Sequence, residues 1–264
     1  MRFRGLVLAG LGLAIVAGPA AAQRTGDRAR LIFTVSGGYV SGQGLWQVPQ
    51  QQVVDGPFVD TFFIKRSIQS TFGASLSATY FPGDKLGLTA DASLLGVGFE
   101  NSCRLTAPVQ STRSEDVCRS IDSRDRSSAG AALSVGAILR VASREFVSPF
   151  ARASAGLLFS NESAILTDGT ALTPQGLAEF VVYDDDKRTR VSPAFALGVG
   201  ATFALAKGYA LRWEVRDNIV GVERVTGATP QLNLVPPHEQ TFKNLFTILI
   251  GIDIILERQP GRRY

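Results

Sequence analysis

Arg212, Glu214 and Arg216 stand two residues apart in the run Gly208–Val225, and that spacing is where the sequence first suggests chemistry. In an extended strand successive side chains point to opposite sides. These three therefore share one face, while Tyr209, Leu211, Trp213 and Val215 share the other. Two guanidinium groups flanking one carboxylate can interlock as an ion-pair stack, because the planar fork fits a carboxylate. Catalytic chemistry has less to work with. The one histidine, His238, sits in Pro236-Pro237-His238-Glu239, and a His beside a carboxylate is the kind of base a lipid hydrolase or acyltransferase uses. Such a base needs a positioned serine and an oxyanion site, and no G-x-S-x-G motif supplies them. Asp184-Asp185-Asp186 lacks the alternating ligand spacing of a calcium loop. Gly198 and Gly200 open like a dinucleotide fingerprint, but Phe203 takes the place of its third glycine. No cofactor or metal site is expected.

The N-terminus reads as an export signal. Arg2 and Arg4 precede the apolar core Leu6–Val16, and Ala20-Ala21-Ala22 offers a small-residue cleavage site before Gln23. The expected organisation is a signal peptide over residues 1–22 and a single domain over residues 23–264. No cysteine near the cleavage site marks a lipid-anchored protein. Removing Arg2 and Arg4 lowers the formal charge from +4 to +2, too even a balance to argue for nucleic acid. Cys103 and Cys118 lie 15 residues apart in a segment rich in Ser and Arg. In an oxidising compartment they are expected to form one disulfide, stabilising by about 3 kcal/mol on the chain-entropy model.

Something must hold the charged face of Gly208–Val225 away from water, and the rest of the chain supplies matching strands. Eight alternating segments follow the signal: Leu31–Trp46, Ser67–Phe81, Leu86–Glu100, Ala129–Val141, Phe146–Phe159, Val191–Leu205, Gly208–Val225 and a terminal run through Leu256. Ser67–Phe81 is typical, with Phe72, Ala74, Leu76, Ala78 and Tyr80 against Gly73, Ser75, Ser77 and Thr79. Parity slips at Leu94-Leu95, which predicts a bulge. No later stretch holds 18 uncharged apolar residues, so helical spanning is excluded; 45% hydrophobic content and 27 glycines suit strands and turns.

Connections alternate in length. Pro82-Gly83-Asp84, Ser143-Arg144-Glu145 and Ala206-Lys207-Gly208 are short turns, whereas the cysteine segment to Arg126, Asn161–Arg190 and Thr226–Glu239 are long. Tyr80, Phe81, Phe146 and Tyr209 border the short turns, and Tyr39, Phe99, Phe159 and Phe242 lie toward the long loops, as two interfacial girdles would. The fold class predicted is all-β: an eight-stranded antiparallel up-and-down transmembrane β-barrel with short periplasmic turns and long extracellular loops. Ten strands stay open, because Leu177–Tyr183 can pair as a hairpin extension. A soluble β-sandwich is the architectural alternative.

With its signal segment, four up-down hairpins and terminal apolar strand, the chain resembles the small outer-membrane β-barrels of the OmpA and opacity type from diderm bacteria. The resemblance is architectural and covers nearly the whole mature chain. Gly251-Ile252-Asp253-Ile254-Ile255-Leu256 is similar to that family's last strand, with aliphatics at its aromatic positions. The tail Glu257–Tyr264 departs from the pattern. The resemblance implies outer-membrane localisation, recognition of the last strand by the barrel assembly machinery, and contact with lipid and lipopolysaccharide. Arg113, Arg119, Arg124 and Arg126 are candidate phosphate contacts. No peptidoglycan-binding domain follows, so that family role is not carried over.

Hairpin register then sketches the lumen. Pairing Leu205 with Tyr209 sets Arg212, Glu214 and Arg216 opposite Thr202, Gly200 and Gly198; pairing Ala142 with Phe146 sets Arg152 opposite Gly136. Asp253 falls near Arg212. The expected lumenal network is Arg140, Arg152, Arg212 and Arg216 against Asp91, Glu214 and Asp253. Four cations against three acids suggest an interlocked plug, since eight strands leave room only for side chains. The function expected is structural or surface-interacting and not enzymatic. A small gated porin is the alternative, and a lipid-modifying enzyme a third.

Overall fold

Strict alternation closes into a ring when one face seeks lipid and the other fills a narrow interior. The computed structural model describes residues 30–96, 98–106, 111–123, 129–141, 146–186, 190–206 and 208–257. In chain order its elements are β1 (Arg30–Val40), β2 (Gln43–Asp55), β3 (Phe58–Ile68), β4 (Thr71–Phe81), β5 (Leu86–Gly96), β6 (Phe99–Thr106) and α1 (Thr112–Ser123). β7 (Ala129–Arg140), β8 (Val147–Ser160), β9 (Thr167–Thr173), β10 (Gly176–Tyr183), β11 (Val191–Ala206), β12 (Tyr209–Val225) and β13 (His238–Glu257) follow. β1, β4, β5, β7, β8, β11, β12 and β13 form a closed antiparallel barrel in which β13 pairs back onto β1. The export signal, the Ser143-Arg144-Glu145 turn, Lys207, and the tail after Glu257 lie outside the described residues.

The outer wall is a band of exposed apolar side chains on every strand, among them Val35, Leu76, Leu88, Val135, Leu197, Trp213 and Ile250. No helix of the described residues is long and apolar enough to cross a membrane; this chain crosses with strands. Three charges facing in and this band facing out are what lipid outside a small lumen demands.

Several expectations change. Leu94-Leu95 is not bulged: pairing of β5 with β7 runs unbroken, and Leu95 turns inward into an apolar cluster. Phe81 and Phe99 are not girdle residues. Adjacent residues must face opposite sides, so with Tyr80 outside, Phe81 is buried in the lumen; Phe99 is buried under the long loops. Arg152 faces Ile138, and Gly136 faces Ser154. The β7–β8 hairpin closes where the Val141 amide bonds the Pro149 carbonyl at 3.0 Å, two residues off the shorter turn, and loop length sets register. Leu31–Trp46 is broken at Ser41-Gly42, where β1 ends and β2 leaves the barrel.

The first three long connections carry regular structure, whereas 226–237 holds no helix or strand. β2, β3 and β6 form a three-stranded sheet, and α1 packs on β9 and β6. β9 and β10 pair as a hairpin outside the barrel, so the ring keeps eight strands. Ser111 caps α1, its Oγ accepting from the Arg113 and Ser114 amides and donating to Asp55 at 2.5 Å. The Cys103–Cys118 disulfide joins β6 to α1 with Cα atoms 5.3 Å apart. Together these pieces make a cap with a core of its own.

Candidate functional site

The inner face of β12 presents Arg212, Glu214 and Arg216 in a row because side chains two apart share a side. Over the charges the register with β11 is the one the sequence suggests, with Arg216 opposite Gly198, Glu214 opposite Gly200 and Arg212 opposite Thr202, but at the turn Leu205 is bulged and Tyr209 pairs with Ala206 instead of Leu205. Small residues there leave the volume that long side chains need. A Cβ added at Gly198 would stand 2.7 Å from Glu214 Oε1 and 3.0 Å from Arg152 Cγ.

Glu214 is the hub. Its Oε2 accepts from Arg212 Nη2 at 3.0 Å and Nε at 3.1 Å, and its Oε1 from Arg216 Nε at 2.8 Å. Arg152 Nε lies 3.7 Å from the same Oε1. Asp91 pairs with Arg152 and lies 3.9 Å from Arg216 Nη2. Asp253 accepts from Thr34 Oγ1 at 2.7 Å and lies 3.8 Å from Arg212 Nη1. Six of the seven predicted charges thus form one buried network. Arg140 has no ion pair within 4 Å among the described residues, but it lies within electrostatic reach of Asp253 and Arg212, with its guanidinium 4.1 Å over the Phe81 ring. Arg212 makes the same approach, 4.1 Å, to Phe150.

Below the charges, Ile32, Phe81, Ile138 and Phe150 pack with Ile255 into an apolar floor. Above them, Asn218 donates to Thr247 Oγ1 at 2.7 Å. Higher still, Val40, Leu95, Ala132, Leu158, Ala194, Val220 and Leu245 form a roof continuous with the cap core of Trp46, Phe62, Ile64, Phe99 and Ile121. A hollow of about 750 Å³ lies on the outside of the wall, where Ala78, Ala90, Ala92 and Ala155 sit between larger apolar neighbours. Lipid chains cover that surface.

Sequence reasoning missed the groups that lock the cap. Buried Arg66 donates to Asn101 Oδ1 at 2.7 Å and to the Leu166 carbonyl at 2.7 Å, between the rings of Trp46 and Phe99. Buried Gln51 joins three long connections, accepting from Tyr183 Oη at 2.9 Å and the Thr229 amide at 2.9 Å. Burial pushes the Tyr183 phenol well above its ordinary range. Neither Gln51 nor Arg66 carries a sequence signal: Gln51 is the middle of Gln50-Gln51-Gln52, and Arg66 follows Lys65 like a second surface charge. Of the other candidates, His238 Nδ1 lies 2.9 Å from the Pro236 carbonyl oxygen. Asp185 takes Ser163 and Arg190. Arg113 pairs with Asp55 at 2.5 Å and Arg119 with Glu115 at 2.8 Å, while Arg124 and Arg126 lie outside the described residues.

A closed eight-stranded barrel, apolar outside and charged within, defines the class: an integral β-barrel of the outer membrane. No protein-family model matches the chain, and no curated protein matches it. Among solved structures it is similar to the outer-membrane protein OprG from Pseudomonas aeruginosa, at 11% identity and a TM-score of 0.50, covering 88% of this chain and 98% of that one. Neisserial surface protein A is similar at 12% identity and a TM-score of 0.41, covering 87% and 99%. The outer-membrane protein AlkL is similar at 12% and 0.42, covering 92% and 97%. At such identities the likeness is one of fold.

Proposed function

We propose that this protein is a closed envelope barrel whose working part is its cap, serving surface contact and envelope integrity and not bulk permeation. The observation that carries this reading is the stacking of an apolar floor, a six-membered ion network and an apolar roof across one lumen. Each layer removes water from the axis, and an interior of eight strands is just wide enough for side chains to fill. Long loops on a rigid scaffold are where such proteins carry recognition. β13, which closes the ring on β1, is the strand the assembly machinery would engage. Recording from the folded wild type in planar bilayers tests the reading. Only slow, small events are expected; a large, steady single-channel conductance would establish the porin alternative instead.

A further inference from the structure

The outer face of the cap sheet displays cations that the protein itself does not use. β2, β3 and β6 pair so that Gln47, Lys65 and Ser102 form a row, with Ser67 and Glu100 on one side and Phe63 and Arg104 on the other. Their strand neighbours Ile64, Arg66, Asn101 and Cys103 turn the opposite way into the cap core. Lys65 and Arg104 are exposed, and among the described residues neither has a hydrogen-bond or ion-pair partner. Two hollows meet at this row. One, of about 400 Å³, is lined by the residues just named; the other, of about 420 Å³, runs from Gln47 and Lys65 to Trp46, Arg224 and Thr226.

We propose that this face binds an anionic sugar of lipopolysaccharide from the leaflet around the barrel. The donor set is that of a charged saccharide: Lys65 and Arg104 for its phosphate or carboxylate, and Gln47, Ser67, Ser102 and Glu100 for its hydroxyls. Phe63 is half-buried and offers an apolar face to the ring. Glu100 leaves the row a net charge of only +1, which suits a sugar with many hydroxyls better than a polyanion. Position selects the source. The opposite face of β3 and β6 packs into the cap core that continues the lumen roof, so exposed Glu100 and Arg104 and half-buried Ser102 look away from the barrel axis. β2, β3 and β6 belong to the cap sheet and not to the barrel wall, so the row stands beyond the long-connection end of the barrel. That is past the hydrocarbon, among the sugars carried by the lipid.

The test uses the full folded protein in vesicles containing either lipopolysaccharide with an anionic sugar core or a truncated form ending at the lipid phosphates. Bound lipopolysaccharide is counted by native mass spectrometry. The core-bearing form should be retained and the truncated form lost. Lys65→Gln with Arg104→Gln should weaken retention about tenfold, and high salt should do the same to the wild type alone. Phe63→Ala should weaken it with the salt dependence kept. All three positions are on the cap surface, and heat-modifiable gel mobility verifies the barrel. Equal retention of the truncated form, unchanged retention in the double variant, or equal binding of a soluble core oligosaccharide to wild type and double variant would each overturn the proposal.

Discussion

Glu214→Gln removes the carboxylate on which three arginines converge, at 2.8 Å for Arg216, 3.0 Å for Arg212 and 3.7 Å for Arg152, with the Glu214 side chain 1% exposed. The substitution leaves Arg140, Arg152, Arg212 and Arg216 against Asp91 and Asp253, so the lumen goes from one excess positive charge to two. Removing one partner of a buried pair costs about 3–5 kcal/mol, because the stranded charges stay desolvated. For a chain of this size that is on the order of 10 °C in the unfolding midpoint. The midpoint is read from the loss of the fast-migrating folded band on heating in detergent. Ion leakage from proteoliposomes, expected to rise and to favour anions, is the companion measurement. Adding Arg212→Gln restores the original excess, and the pair should recover more than half of the lost stability through their coupling. Two results would refute the reasoning: midpoint and leakage both unchanged in Glu214→Gln, or a double variant whose loss is the simple sum of the singles.

Reducing the Cys103–Cys118 bond, or replacing both residues with Ala, should cost the cap about 3 kcal/mol and leave the barrel band untouched, seen as faster proteolysis between β6 and α1. Gly198→Val should lower the barrel midpoint by the equivalent of about 1–3 kcal/mol, since its Cβ would meet Glu214 and Arg152; a wild-type midpoint would mean the lumen has slack. Tyr183 has its phenol raised by burial, so its contribution is fully present below about pH 10 and declines as pH rises beyond that, when the unfolded phenol ionises first. Tyr183→Phe should cost about 1 kcal/mol by losing the 2.9 Å bond to Gln51 and abolish that alkaline loosening of the cap, monitored by protease resistance across pH.

The barrel was legible because a period of two is a strong signal and lipid makes it uncompromising. The β11–β12 register over the charges came out of the sequence because the turn at Gly208 is tight, with φ at +86° where glycine is at ease. The β7–β8 register did not, because nothing in Ser143-Arg144-Glu145 tells where a longer turn closes. Choosing girdle residues by type over parity misplaced Phe81. The cap was nearly invisible. α1 reads Thr-Arg-Ser-Glu-Asp-Val-Cys-Arg-Ser-Ile-Asp-Ser, and its buried side is only Ser114, Val117, Cys118 and Ile121, too few apolar residues to show a helical period. Its position depends on the disulfide, on Ser111, and on contacts with β9 from a distant part of the chain. Tertiary context, not local pattern, builds that part.

The charge layer raises the question of why a barrel that already has an apolar floor and roof keeps buried ions, since ion pairs seldom outperform apolar packing of the same volume. Strand assembly supplies an answer. An apolar inner face on β12 would make both sides of the strand equally acceptable to lipid, and its register would be weakly specified. With Arg212, Glu214 and Arg216 on one side, a slip of a single residue turns all three toward hydrocarbon. The two arginines alone would then cost about 2–4 kcal/mol each near the midplane. Asp253 imposes the same condition on β13, which must seat between β12 and β1 to close the ring. The four acceptors and donors that satisfy one another in the correct register have no partners in the slipped one. The network therefore acts through the difference between registers, and its net contribution to stability in the correct one can be small without weakening that role.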